Sequence, residues 1–182
     1  MNHKITLKDS ELNNYRNEYR LIPESKLSHL SKWLNEWKKN DIAVQGSIPY
    51  TAPIFDVPKK MTGEIHWVID LNERNKYTIR DYAPIPNQPI ISDYVVSHPF
   101  RLKIDMSNAY YQVRVEPEDE IENSITAGEF GAWQIKVKLQ GDCNAPAIMM
   151  RIMNTILSPF FGKFVWIYLD DIQFVQHIQG TS

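Results

Sequence analysis

The sequence predicts an α+β fold, an antiparallel sheet with helices on one face. Two segments, "PESKLSHLSKWLNEWKKND" and "NAPAIMMRIMNTILSPFF", place apolar side chains at helical spacing. The stretches between them alternate apolar and polar residues and are broken by Pro and Gly turn signals. The last apolar segment, "FVWIYLDDIQFV", is short and divided by two carboxylates, which suits a hairpin better than a helix.

Residues 1–24 are polar and aperiodic and read as an extended lead-in. The first helix follows Pro23: Leu27, Leu30, Leu34 and Trp37 share one stripe, Trp33 lies beside it, and Asn40-Asp41 suits its end. The two tryptophans read as core. "GSIPYTAPIFDVPKK" gives a turn and a strand around Ile54–Val57. "MTG" is a turn signal, and "EIHWVIDLN" returns as the second strand of a hairpin. Three prolines make "RDYAPIPNQPI" irregular, with room for a short helix between Ile90 and Val96.

Leu102, Ile104 and Met106 alternate along the next strand, which breaks at Ser107-Asn108 before "YYQVRV". "SITAGEFGAWQIKVKL" reads as two short strands around a turn containing Gly. Pro146 fits the first turn of the second helix, whose broad apolar face includes Ala147, Met150, Ile152, Met153, Ile156 and Leu157. The closing hairpin then carries Asp170 and Asp171 at its tip.

The chain has 182 residues with a formal net charge of −2 and a pI near 6.2, so bulk charge lends no support to nucleic-acid binding. A local basic groove can still coexist with an acidic remainder. The single cysteine, Cys143, excludes an internal disulfide. The polar N-terminus lacks a signal-peptide core, and no apolar run approaches the ~18 residues of a membrane span. The expected setting is intracellular, cytoplasmic or nuclear, with no membrane.

Two adjacent carboxylates in an apolar segment repel each other and lose hydration. A hairpin tip would present both at the rim of the sheet. No lysine or arginine adjoins them in sequence, so a bound cation could supply the counter-charge. Hard oxygen ligands favour Mg²⁺ or Mn²⁺ over zinc. Asp105, at the end of an apolar strand, is the best third carboxylate, and three such groups on adjacent strands could hold two metals for phosphoryl displacement. Adjacent aspartates in solvated turns are also common, and composition alone leaves that reading open.

The motifs carry a resemblance. "YLDD" at Tyr168–Asp171 looks like the metal-binding motif of reverse transcriptases, "KIDMSNAYYQVRV" like their first aspartate segment, and "LQGDCNAPAIMMRIMN" like the segment under template and incoming nucleotide. "FGKFVWIYLDDI", "SIPYTAPIFDVPKK" and "VIDLNERNKYTIRDYAPIP" resemble the Gypsy-type long-terminal-repeat retrotransposons (Metaviridae), and "QGDCNAPA" their fungal members. The resemblance implies reverse-transcriptase fingers over 25–99 and a partial palm over 100–175. It leaves an unmatched tail at 176–182, with thumb, connection and RNase H absent.

By resemblance, Asp105, Asp170 and Asp171 are the catalytic carboxylates, holding Mg²⁺ (or Mn²⁺) with the backbone carbonyl of Met106. Tyr110 matches the steric gate against the ribose 2′-hydroxyl, Gln140 and Gly141 meet the incoming nucleotide, and Lys59 binds its triphosphate. The implied partners are an RNA or DNA template-primer, deoxynucleoside triphosphates and the rest of a retrotransposon polyprotein. The implied reaction is RNA-directed DNA synthesis, in which a primer 3′-hydroxyl attacks the α-phosphate and pyrophosphate leaves.

Several positions depart from the family pattern. His66 stands where a triphosphate-clamping arginine is expected, Asn72 replaces the usual arginine after Leu71, and Met150 replaces a glutamine. A histidine lacks the fixed planar fork of arginine. The competing expectation is a non-catalytic retroelement fragment that acts at most as a weak nucleic-acid-binding or interaction module.

Overall fold

The computed structural model describes residues 2–8, 20–58, 63–84 and 86–176. In chain order its elements are α1 (Glu24–Lys39), β1 (Ala43–Gln45), β2 (Ala52–Pro58), β3 (Ile65–Ile69), α2 (Asn72–Tyr77), α3 (Gln88–Val96), β4 (Phe100–Asp105), β5 (Ser124–Thr126), β6 (Ala132–Ile135), α4 (Ala145–Leu157), β7 (Val165–Tyr168) and β8 (Asp171–Gln176). The α+β class holds, but the strands divide into two sheets. The chain correspondingly forms two compact units, Met1–Arg80 with Tyr110–Cys143, and Asp81–Ala109 with Asn144–Ser182.

In the first unit the sheet runs β1-β6-β5-β2-β3. The expected β2–β3 hairpin forms, with Val57 opposite His66 and Ile54 opposite Ile69. β5 and β6 pair antiparallel, but β2 and β5 are parallel, a long-range pairing that strand alternation cannot reveal. α1 has Glu24 in its first turn and Lys38 and Lys39 in its last, matching the helix dipole. It buries Leu30, Leu34 and Trp37. Leu30 and Leu34 are almost fully covered, which at ~1.5–3 kcal/mol per large apolar side chain is a substantial contribution. Trp33 lies on Trp37 at 4.1 Å, and Trp37 meets the edge of Tyr111. These residues join Ile54, Trp67, Ile125, Ile135 and Leu139 in one core.

Residues 2–8, the described part of the chain before Arg20, are pinned to the first unit. His3 bridges Val115, Leu7 bridges Thr78, and both His3 and Ile5 are buried. "YYQVRV" begins as a 3-10 turn over Ala109–Gln112, after which Arg114 bridges Val137. Asn108, at the expected break, has φ +55, in the left-handed region that asparagine tolerates better than most residues.

In the second unit the sheet is antiparallel, in the order β4-β8-β7. α4 lies on β7 and α3 on β8. Ile91 and Val95 of α3 pack with Val175, while Tyr94 stacks on Trp166 at 4.6 Å. β4 departs from expectation. Its alternation reads as half-buried, yet all six of its residues are exposed, including Phe100, Leu102 and Ile104. Among the described residues the strand is an edge, paired only with β8, and α3 and α4 sit over the other two strands.

Candidate active site

The second unit brings the three expected aspartates to one rim. Asp105 ends β4 and Asp171 begins β8, and the two are direct antiparallel partners. Tyr168 pairs with Asp171, leaving Leu169-Asp170 as a two-residue hairpin loop. Such loops favour Gly or Asn where φ is positive, yet Leu169 has φ +57. A non-glycine residue held there costs of order ~1–3 kcal/mol. Its N–H donates to the sulfur of buried Met150 at 3.2 Å, so this departure from the family pattern supports the turn. The N–H of half-buried Met106 donates to the Asp170 carbonyl at 3.3 Å, fastening the end of β4 to the loop.

The rim placement answers how a chain tolerates adjacent carboxylates in an apolar segment. Asp105 is exposed, and Asp170 and Asp171 are only half-buried. A counter-charge comes from a side chain that does not adjoin the pair in sequence. Lys103 lies opposite Gln173, diagonal to Asp171, and its ammonium meets the Asp171 carboxylate at 2.7 Å. That hydrogen bond, with the added fields of Asp171, Asp105 and Asp170, raises the lysine pKa above its ordinary value. Sequence proximity could not find Lys103; the register of β4 against β8 was needed.

The donors suit a hard divalent cation, because they are carboxylate oxygens without histidine or cysteine. They do not stand as a closed set. Among the described residues no three of His, Cys, Asp or Glu are gathered as a metal-ligand group. Lys103 holds one oxygen of the Asp171 carboxylate, Oδ2, and competes there with any metal shared among these carboxylates.

The expected nucleotide-facing residues belong to the first unit. Gln140 and Gly141 form an exposed turn, with Gly141 at φ +90. The turn is tied to α2: Asn75 Nδ2 donates to the Gly141 carbonyl at 2.8 Å, and Asn75 Oδ1 accepts the Cys143 N–H at 3.0 Å. Beneath it lies an ionic cluster that sequence reading missed. Arg74 donates to Asp142 at 2.8 Å and to Asn123 at 2.7 Å, and His3 and Lys138 complete the group. All five side chains are buried. Cys143 is half-buried, and burial together with the neighbouring Asp142 charge pushes its thiol pKa up, which suits a packing residue rather than a nucleophile.

His66 is exposed on β3. Tyr110 is half-buried in the 3-10 turn, where its carbonyl accepts the Val113 N–H. Asn72 opens α2, and its N–H donates to Asp70 at 3.2 Å. Lys59, and most of the expected "MTG" turn, lie outside the described residues. No helix among the described residues is long and apolar enough to cross a membrane.

Comparison with known proteins supplies the context. Residues 13–177 match the family model "Reverse transcriptase (RNA-dependent DNA polymerase)". The chain is 28% identical over 162 residues to the Retrovirus-related Pol polyprotein from transposon 297 of Drosophila melanogaster, covering 87% of this chain and 15% of that protein. It is 27% identical over 141 residues to the corresponding polyprotein from transposon gypsy of the same organism, covering 74% of this chain and 13% of the relative. An RNA-directed DNA polymerase homolog of Oenothera berteroana is 31% identical over 104 residues, 57% of this chain and 72% of that protein. The chain thus spans a small part of the polyproteins it matches. Among solved structures, the foamy viral protease-reverse transcriptase in complex with RNA/DNA hybrid superposes with a TM-score of 0.73 at 19% identity, covering 91% of this chain and 22% of the other. With the family model spanning most of the chain, the protein belongs to the reverse transcriptase (RNA-dependent DNA polymerase) family.

Proposed function

We propose that this chain is the polymerase portion of a Gypsy-type long-terminal-repeat retrotransposon polyprotein, fungal by the character of its "QGDCNAPA" segment. Its proposed activity is templated addition of deoxynucleotides to a primer 3′-hydroxyl. The observation that carries the reading is Asp105 opposite Asp171 on adjacent strands, with Asp170 in the intervening loop, inside a family match that spans residues 13–177.

In this reading Asp105, Asp170, Asp171 and the Met106 carbonyl hold Mg²⁺ or Mn²⁺. Metal bound there would supply the positive charge that lowers the pKa of an attacking hydroxyl and offsets the charge of the leaving phosphates. The chain's own work is positioning and charge. Gln140 and Gly141 meet the nucleotide, Tyr110 screens its 2′ position, and Lys59 with His66 faces the triphosphate. The partners are deoxynucleoside triphosphates and an RNA or DNA template-primer, gripped by backbone and shape rather than by base edges.

The test is primer extension on an RNA template with Mg²⁺ or Mn²⁺, comparing the chain with Asp170→Asn. Addition of a few nucleotides by the first and none by the second is expected. Product that survives Asp170→Asn overturns the assignment of the carboxylates.

A second reading, a non-catalytic retroelement fragment, is favoured by His66 and Asn72 at positions where arginines are expected and by Lys103 occupying Asp171. It predicts no extension and Mn²⁺ binding that is indifferent to Asp170→Asn.

A further inference from the structure

Asn75 is engaged at both ends of its carboxamide: the amide nitrogen holds the Gly141 carbonyl and the oxygen holds the Cys143 N–H. Between those two residues Asp142 is fixed by Arg74, the neighbour of Asn75 on α2, at 2.8 Å. Arg74 is anchored in turn through Asn123, which donates to the carbonyls of Ile135 and Val137 at 2.8 and 2.7 Å. Three successive residues, running from exposed Gly141 through buried Asp142 to half-buried Cys143, are thereby tied to one short helix.

The chemistry is selective. The turn offers a carbonyl and an N–H two residues apart, and a carboxamide presents a donor and an acceptor on separate atoms of one planar group, so it can hold both at once. The turn also needs such a tie. Gly141 sits at φ +90, and a Cβ there would lie 4.0 Å from the Ile69 carbonyl oxygen and from Leu71, so the glycine is required by conformation rather than by crowding. A glycine held by conformation alone is free to move unless its peptide is fastened.

We propose that Asn75 is the positioning residue of the Gln140–Gly141 turn, with the Arg74–Asp142 pair as its buried anchor. The carboxamide fixes the peptide plane that meets the incoming nucleotide, so the turn is set before the nucleotide arrives. This inference rests on the reading of Gln140 and Gly141 as nucleotide-facing. A side chain that merely stapled the fold would alter stability and leave nucleotide affinity untouched.

The experiment measures binding of a fluorescent deoxynucleoside triphosphate with Mg²⁺, amide hydrogen exchange at Cys143, and thermal melting. The variants are Gln140→Ala, Asn75→Ala and Asn75→Asp. Gln140→Ala and Asn75→Ala should each weaken binding by about five-fold or more, because an unfastened turn must be ordered on binding. Asn75→Asp keeps the acceptor for Cys143 and loses the donor to Gly141. It should retain slow exchange at Cys143, melt no lower than Asn75→Ala and still bind more weakly than the parent, whereas Asn75→Ala should speed exchange there. Parental affinity in Asn75→Asp or Asn75→Ala, with Gln140→Ala impaired, overturns the role of Asn75. Absence of nucleotide binding by the parent, or parental affinity in Gln140→Ala, overturns the nucleotide-facing reading of the turn, and the positioning role with it.

Discussion

Lys103 and Asp171 meet at 2.7 Å across two strands, on a diagonal of the β4–β8 ladder. The lysine is more than half exposed and the aspartate mostly covered, so water reaches the pair from the lysine side. The carboxylate proposed as a metal ligand thus has a resident cation. Removing that cation should free Asp171 and take a positive charge away from the metal position. Lys103→Met is expected to tighten Mn²⁺ binding several-fold, measured by water-proton relaxation, and to enlarge the Mg²⁺-dependent rise in melting temperature. Unchanged metal affinity would make Lys103 a surface ion pair with no bearing on the site.

Asp142 balances two buried cations. Its carboxylate lies 2.8 Å from Arg74 and 3.8 Å from Lys138, and all three are essentially inaccessible to water. Asp142→Ala removes the carboxylate that faces both cations, and breaking a buried pair in this way costs about 3–5 kcal/mol. Chemical denaturation should show a loss of that size. A loss under 1 kcal/mol would mean that the cluster opens to water or that a lysine proton leaves.

His3 should make stability depend on pH. Burial lowers its pKa below the ordinary 6.5, Lys138 and Arg74 push the same way, and the hydrogen bond and charge of Asp142 oppose them. Below about pH 6.5 the unfolded chain therefore takes up a proton that the folded chain refuses. Stability should fall as pH drops from 6.5 toward the folded pKa and stay flat, as far as His3 is concerned, above it. His3→Gln should remove that part of the slope. Melting curves at pH 7.5 and 5.5 for both proteins provide the comparison, and equal slopes would refute the assignment.

His66→Arg should strengthen the proposed triphosphate contact. The residue is exposed on β3, so a longer side chain is accommodated without repacking. A charge-assisted bond of this kind contributes ~1.5–3 kcal/mol, so nucleotide affinity should rise by roughly ten-fold or more. Parental affinity in the variant would show that this position does not face the phosphates.

Local pattern carried much of the fold. The Leu30–Leu34–Trp37 stripe, the β2–β3 hairpin, the helix after Pro146 and the turn at Asp170 all follow from spacing and turn chemistry within a few residues. What stayed hidden was relational. The parallel pairing of Ala52 with Ile125 joins segments with no shared local signal. Lys103 became a partner of Asp171 only through strand register. His3 lies in a polar lead-in that gives no hint of burial, yet it reaches Asp142 at the far end of the first unit's sequence. The placement of Asp170 and Asp171 at a hairpin tip was legible because the motif is short and contiguous. Asn75 and Arg74 were not, because their role lies in bonds to a turn that is distant in sequence.

The exposure of β4 bears on how this protein behaves in a tube. One side of its backbone lacks a neighbouring strand among the described residues, and Phe100, Leu102 and Ile104 put exposed oily side chains on one face of the same strand. An unprotected edge of that kind is a template for strand addition by another molecule. Concentration, rather than temperature, should therefore govern the usable life of a preparation. Light scattering should rise with protein concentration at temperatures well below the melting transition. A single gatekeeper charge, Leu102→Lys, should suppress it while leaving the cores of both units untouched.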